Sequence, residues 1–341
     1  MNNSKKILLT GGAGYIGSHT AVELIQQGFE IVIVDDLSRS EAMIIEGIEK
    51  ITGKKVNFYK GDCNDSLFLD GVFKKESIDS VIHFAAYKSV NESVDEPLLY
   101  YQNNLGSMIN LLNAMKKHQI NKFIFSSSCT VYGQPDEIPV DENAPFKKAE
   151  SPYGATKQMC ERILEDAVYA DDNLKVISLR YFNPVGAHSS SLIGELPIGT
   201  PTNLVPYITQ TAAGIRQMLT VFGDDYNTSD GSCVRDFIDV DDLAKAHVQA
   251  LKAIEKISGR FEVFNLGTGK GETVLQIVKK FEEVTGVKLN YQIGARRAGD
   301  IEKIFANPAK AREILGWQTE KSIGDSLLNA WNWEKKIRSI S

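Results

Sequence analysis

Thr10-Gly11-Gly12-Ala13-Gly14-Tyr15-Ile16-Gly17 stands where an apolar strand, Ile7-Leu8-Leu9, passes into a helix expected over residues 16–27. Ile16, Val22, Leu24 and Ile25 give that helix its apolar face. Glycines at 11, 14 and 17 permit a tight turn, leave room for a pyrophosphate and let the helix pack close to the sheet. The helix N-terminus meanwhile presents free N–H groups to the anion. Gly11, Gly14, Tyr15, Ile16 and Gly17 are therefore candidate contacts to a dinucleotide. Alone, such a turn is a weak signal. Its setting strengthens it: a second apolar run, Ile31-Val32-Ile33-Val34, ends in Asp35 and Asp36, eighteen residues beyond Gly17. A carboxylate there accepts from a ribose diol and repels a 2′-phosphate, which favours NAD over NADP.

The chain's 341 residues suffice for a large core in one extended domain or two. The net charge of −6 is spread along the chain rather than blocked, which argues against nucleic acid as a partner. No apolar run approaches bilayer length, and Met1-Asn2-Asn3-Ser4-Lys5-Lys6 is not followed by a signal-type core, so no membrane association is expected. Cys63, Cys129, Cys160 and Cys233 lack C-x-x-C spacing, and the histidines at 19, 83, 118, 188 and 247 share no ligand spacing. No metal site is expected, and a reduced, cytoplasmic setting fits best.

Up to about residue 180, further short apolar strands at 56–60, 81–85, 123–127 and 176–179 alternate with helical patterns at 66–75, 97–117 and 152–169. This alternation predicts an α/β fold, a Rossmann-like doubly wound parallel sheet that binds ligands at the carboxyl ends of its strands. After Arg180 the texture changes. Residues 186–203, rich in Gly, Ser, Pro and Thr, read as a long loop. Helices are expected at 204–217, 240–256, 273–285, 308–315 and 323–335, with strands at 219–222, 261–266 and 289–293. The expected division is a nucleotide-binding domain over residues 1–180 and a smaller α/β substrate-binding region over 181–341, some of whose elements return to the first sheet.

Tyr153 and Lys157 lie at i and i+4 in Ser151-Pro152-Tyr153-Gly154-Ala155-Thr156-Lys157, on one face of a helix that Pro152 suits as a first turn. A phenol is a poor base at its reference pKa of about 10. An ammonium about 5 Å away, at an effective dielectric near 20, favours phenolate by about 3 kcal/mol, or roughly two pKa units. Oxidised nicotinamide would act in the same direction. Tyr153 is thus the candidate base for a hydroxyl whose carbon gives up hydride. Ser128, at the end of the strand 123–127, can donate to the reacting oxygen. As surface residues, Tyr153 and Lys157 would be an ordinary pair and Ser128 an ordinary cap; their combination with the glycine turn and the acidic strand end is far more specific.

These motifs, together with Gly61-Asp62, His83-Phe84-Ala85-Ala86-Tyr87-Lys88, Arg180-Tyr181-Phe182-Asn183-Pro184-Val185-Gly186-Ala187, Asn203-Leu204-Val205-Pro206-Tyr207, Val234-Arg235-Asp236, Asn265-Leu266-Gly267 and Arg296-Arg297-Ala298-Gly299-Asp300, resemble the extended short-chain dehydrogenase/reductase family over nearly the full length. Within it the resemblance is to the enzymes that invert C4 of UDP-hexoses. It implies bound NAD, with Asp62 reading the adenine beside Cys63, and Phe84, Ala85, Ala86, Lys88, Asn103 and Phe182 lining the cofactor. It further implies UDP-glucose and UDP-galactose as substrates. Asn183, Asn203 and Arg235 would hold the pyrophosphate, with Leu204 and Lys88 beside them. Phe222 would lie near the uracil, and Arg297 and Asp300 on phosphate and ribose. Tyr153 would take the 4-OH proton with Ser128 and Thr130 assisting, and the 4-keto sugar would turn over before hydride returns.

A nucleotide-sugar 4,6-dehydratase is the nearest rival. In that family an Asp-Glu pair follows the strand-end threonine, and this chain has Cys129-Thr130 in that stretch. A UDP-glucuronate enzyme would need a cation for the sugar carboxylate, and none stands out. A non-catalytic NAD-sensing scaffold would typically have lost Tyr153 or Lys157. The position implied to gate the sugar 2-substituent holds Ile304, so UDP-GlcNAc and UDP-GalNAc are expected as weaker substrates. Phe237 and Asp239 depart from the family's usual tyrosine and histidine. A homodimer is implied through the helices 97–117 and 152–169, where Met108, Leu111, Leu112, Met115, Met159, Ile163, Leu164 and Val168 offer apolar surface.

Overall fold

The computed structural model describes residues 6–297 and 300–340, so Ala298 and Gly299 of the Arg-Arg-Ala-Gly-Asp stretch and the first five residues lie outside the described ones. Six strands, β1 (Lys6–Thr10), β2 (Glu30–Asp35), β3 (Asn57–Lys60), β4 (Ile78–His83), β5 (Lys122–Ser128) and β6 (Lys175–Tyr181), share one sheet with a seventh, Phe261–Leu266. The spatial order is Phe261–Leu266, β6, β5, β4, β1, β2, β3, and every pairing is parallel. The order reverses at β1, between β4 and β2, which opens a crevice at the carboxyl ends of those strands.

Helices α1 (Tyr15–Gln26), α2 (Ala42–Thr52), α3 (Ser66–Lys75), α4 (Val90–Asp95), α5 (Pro97–Lys117) and α6 (Pro152–Ala170) connect the strands. Strand residues alternate between two cores. Ile7, Leu9, Ile33 and Ile82 pack with α1, α2 and the helix Val240–Ala253. Leu8, Val32, Val81 and Phe123 pack with α3, α5 and α6 on the other face. Both faces are covered, which is why these strands read as unbroken apolar runs rather than alternating ones.

After β6 the chain forms short paired strands: Asn183–Val185 with Phe237–Asp239, Val234–Arg235 between Glu272–Thr273 and Lys303–Ile304, and Leu219–Phe222 with Tyr291–Gly294. A third core, including Val205, Ile208, Phe281, Leu327 and Trp331, supports them. The strand Phe261–Leu266 leaves this region to pair with β6 at the sheet's edge. The helix expected over 204–217 ends at Ala212, because Gly214 turns the chain with φ of 72°. Strand β4 starts three residues earlier than its apolar run, at Ile78. Among the described residues no helix is long and apolar enough to cross a membrane.

Candidate active site

The glycine turn is dictated by space. Gly11 has φ of 71°, and a Cβ there would lie 2.6 Å from Ala85 N; one on Gly17 would lie 2.4 Å from Gly11 O. Gly14 is the N-cap of α1 and offers no side-chain acceptor, so the helix's first N–H groups face the crevice without a capping side chain. At the end of β2, Asp35 Oδ2 accepts from Ala13 N at 3.0 Å. Its Oδ1 accepts from Leu37 N at 2.9 Å and Ser40 Oγ at 3.0 Å, so this buried carboxylate also shapes the loops around it. Asp36 holds Ser38 through its backbone N and hydroxyl. The open helix end, the Cβ-free cradle and the acidic strand end together fit a dinucleotide.

A single cavity of about 770 Å³ covers this region. On its wall the structure brings together Gly11, Gly14, Tyr15, Ile16, Gly17, Asp35, Asp36, Asp62, Cys63, Phe84, Ala85, Ala86, Lys88 and Asn103 with Ser128, Thr130, Tyr153, Lys157, Phe182, Asn183 and Asn203. Leu204 packs instead against the third core.

Ser151 caps α6 by accepting from Gly154 N at 3.1 Å, and Pro152 occupies the first turn. Tyr153 and Lys157 follow one turn apart. Lys157 Nζ donates to Ser126 O at 2.6 Å and lies 4.8 Å from the Phe125 ring centroid and 5.9 Å from that of Tyr153. Ser128 Oγ accepts from Thr130 N at 3.2 Å and Thr130 Oγ1 at 3.0 Å, leaving its own proton to donate.

The electrostatics correct one expectation. Burial pushes the Tyr153 phenol up to about 12, against the pull of its hydrogen bond with Ser128. Burial likewise pushes Lys157 down to about 8. Desolvation is the largest influence on the phenol, and the Lys157 ammonium, 5.9 Å from the ring centroid, does not by itself bring it toward neutrality.

Phe222, Arg235, Arg297, Asp300 and Ile304 form a neighbouring group off the cavity wall. Arg297 donates to Asp300 Oδ1 at 2.7 Å and its guanidinium carbon lies 5.5 Å from the Phe222 ring centroid. Arg235 lies 3.6 Å from the same carboxylate and pairs in register with Ile304. Ile304 is buried in a small core with Phe182, Val131 and Tyr132, and Cys129 packs against it. Phe182 and Cys129 also line the cavity, so this group borders it on their side. Burial pushes the Cys129 thiol up to about 12, which leaves it unreactive.

Several residues escaped the sequence reading. Glu195, in the 186–203 loop, accepts from both Lys88 Nζ and Asn203 Nδ2 at 2.8 Å; an acid inside a Gly/Ser/Pro/Thr-rich loop was its only signal. Asp236, beside Arg235, is fully buried and accepts from Thr268 N and Oγ1, Gly269 N and Ala306 N. Asp239 caps the helix Val240–Ala253 and takes the Ser326 hydroxyl at 2.7 Å, pinning the last helix, Ile323–Arg338, to it. Phe237 is buried in the third core. Among the described residues no group of three or more His, Cys, Asp or Glu could hold a metal ion.

The model of the NAD dependent epimerase/dehydratase family matches residues 7–267. The UDP-glucose 4-epimerase of Bacillus subtilis (strain 168) is 49% identical over 328 residues, 96% of each chain. That of Dictyostelium discoideum is 48% identical over 329 residues, 96% of this chain and 95% of that one. Among solved structures, the UDP-glucose 4-epimerase from Bifidobacterium longum in complex with NAD+ and UDP superposes with a TM-score of 0.95 at 45% identity, covering 99% of this chain and all of that one.

Proposed function

The chain belongs to the NAD dependent epimerase/dehydratase family, and from that premise we propose that it is an NAD-dependent isomerase interconverting UDP-galactose and UDP-glucose at C4. One observation carries the reading. Tyr153, Lys157 and Ser128 converge on the wall of the same cavity as the glycine turn and Asp35.

What bound NAD supplies is a reversible acceptor for the C4 hydride, which makes the cycle redox-neutral. Gly11, Gly14 and Gly17 admit its pyrophosphate to the N-terminus of α1, where Tyr15 and Ile16 begin the helix. Asp35 and Asp36 receive the ribose, Asp62 and Cys63 border the adenine, and Phe84, Ala85, Ala86, Asn103 and Phe182 line the rest. Tyr153 takes the sugar 4-OH proton. Its phenol starts at about 12 with Lys157 already in place, and bound NAD+ would add the positive charge that brings it within reach of neutral pH. Ser128, oriented by Thr130, donates to the oxygen that becomes the ketone. Asn183, Asn203, Arg235, Arg297 and Asp300 anchor the UDP, with Phe222 against the uracil and Lys88 between the two nucleotides. Anchoring the nucleotide while leaving the hexose loosely held lets the 4-keto sugar present its other face.

Purified protein incubated with UDP-galactose should yield UDP-glucose, and denaturation should release stoichiometric NAD(H). Release of NADP, or of no nucleotide, would overturn the assignment. Ile304, the position the resemblance implies as the gate for the sugar 2-substituent, is an aliphatic residue buried beside Phe182, which lines the cavity. UDP-GlcNAc and UDP-GalNAc should therefore be poorer substrates, and equal kcat/KM for both sugar pairs would reverse that ranking.

We also assign the protein to the cytoplasm and to a homodimer formed through α5 and α6. Met108, Leu111, Met115, Leu164 and Val168 are claimed by the chain's own core, with Leu112 and Ile163 packed against it. Met159, with Leu98 and Ile109, remains outward. Sedimentation of Ile109→Glu/Met159→Glu should show a monomer where the parent shows a dimer.

A further inference from the structure

The helix face that carries Tyr153 and Lys157 carries a third residue one turn further on, Glu161, which is 1% exposed. Its carboxylate is fully engaged. Oε1 accepts from Ser127 Oγ at 2.5 Å, Ser178 Oγ at 2.8 Å and Arg180 Nε at 3.0 Å; Oε2 accepts from an Arg180 terminal nitrogen at 2.6 Å. These partners stand on β5 and β6. Adhesion alone does not call for such a clamp. Cys160, Leu164 and Val168 already seat α6 in the apolar core, and a buried ion pair seldom holds better than the hydrophobic residues that could replace it.

What the clamp adds is register. Ser127 lies between Ser126, whose carbonyl receives the Lys157 ammonium, and Ser128. Arg180 reaches onward to the Tyr132 hydroxyl at 2.9 Å, and that hydroxyl donates to Asn265 at 2.6 Å. Tyr132 ends the single turn that begins after Ser128 and holds Thr130. One carboxylate thus ties the helix of the base to both sides of the strand end that supplies its partners.

Resting on the epimerase reading, we propose that Glu161 is a positioning residue for the reaction. It fixes α6 along β5 so that the Tyr153, Lys157 and Ser128 side chains meet the same sugar carbon, and, with Arg180 as its counterion, it keeps Lys157 protonated. The titratable neighbours of Lys157 are Tyr153, Cys160 and Glu161 on its own helix and His83 on β4, with Arg180 of β6 behind Glu161; β5 offers it only Phe125 and a backbone carbonyl. Burial holds His83 and Cys160 uncharged near neutrality. The Glu161–Arg180 pair is therefore the charge that Lys157 senses, and losing its negative half favours the neutral amine.

The test compares NAD-loaded wild type, E161Q and S127A in UDP-galactose turnover from about pH 6 to about pH 10, with KM, NAD content and melting temperature alongside. E161Q should lose roughly 10- to 100-fold in kcat with KM and bound NAD little changed, the scale expected of a sub-ångström misplacement. Its alkaline limb should move to lower pH. S127A keeps both charges and cuts one bond; its kcat should fall several-fold with the limb unmoved. A folded, NAD-loaded E161Q with wild-type kcat and limb overturns the inference, whatever its melting temperature. If E161Q does not fold, wild-type kcat in S127A overturns it instead. Absence of turnover in wild type would overturn the epimerase reading itself, a separate result.

Discussion

Tyr153 begins as a reluctant base, its proton held by burial, and Lys157 begins as a reluctant cation. Each is desolvated, yet the phenol keeps its proton at neutral pH while Lys157, at about 8, is still mostly an ammonium there. Removing the phenolic oxygen with Tyr153→Phe should lower kcat by about 10³-fold while NAD stays bound, as read in a coupled UDP-glucose assay. For Lys157 the sign of the stability effect follows from linkage. Its folded value of about 8 lies below the ordinary 10.5, so between these values the unfolded chain binds more protons and stability rises with pH. Below pH 8 the full cost of burying the ammonium applies. Lys157→Met should therefore abolish turnover yet raise the melting temperature by a few degrees at pH 7, a gain that shrinks toward pH 10 in calorimetry. Tyr153 and Lys157 were legible in the sequence because they stand four residues apart, and Ser128 because it closes an apolar strand. Glu195 and Glu161 were not, since the bonds that define them reach 107 residues to Lys88 and 34 residues to Ser127.

Elements were legible where one physical signal dominated. The glycine turn is such a place. Gly17→Ala would drive a methyl against Gly11 O, and the variant should copurify with at least about tenfold less NAD(H), measured by absorbance after denaturation. The apolar strands and the long helices α5 and α6 announced themselves by composition and period. The helices α2 and α4 did not, nor did the two- and three-residue strands around Arg235 and Asp239. Elements that short are held by what they pair with: Val234–Arg235 exists because Glu272–Thr273 and Lys303–Ile304 flank it. No window of sequence contains that information.

At the scale of the whole molecule, three histidines are sealed in the folded interior as neutral imidazoles. Burial pushes His83 down to about 3 and His19 and His247 to about 4. Below the ordinary value of about 6.5 the unfolded chain takes up protons that the folded chain refuses, so stability falls as pH drops through that window. Buried Asp35, Asp236 and Asp239, whose carboxyls burial pushes up, act in the opposite sense at its acid end. The melting temperature should decline between pH 6.5 and 4, and a flat profile there would contradict the sealed histidines. The parallel sheet was readable from alternation, and so were a strand at 261–266 and the return of some later element to that sheet; which strand returns, and to which edge, was not, because Phe261–Leu266 sits 80 residues beyond the strand it joins. That late strand forbids a clean division of labour along the gene. A fragment stopped after Arg180 would bare a row of amides and carbonyls ready to recruit a second copy, and any chimera that exchanges the sugar-binding half must import the rim of its host's nucleotide sheet along with it.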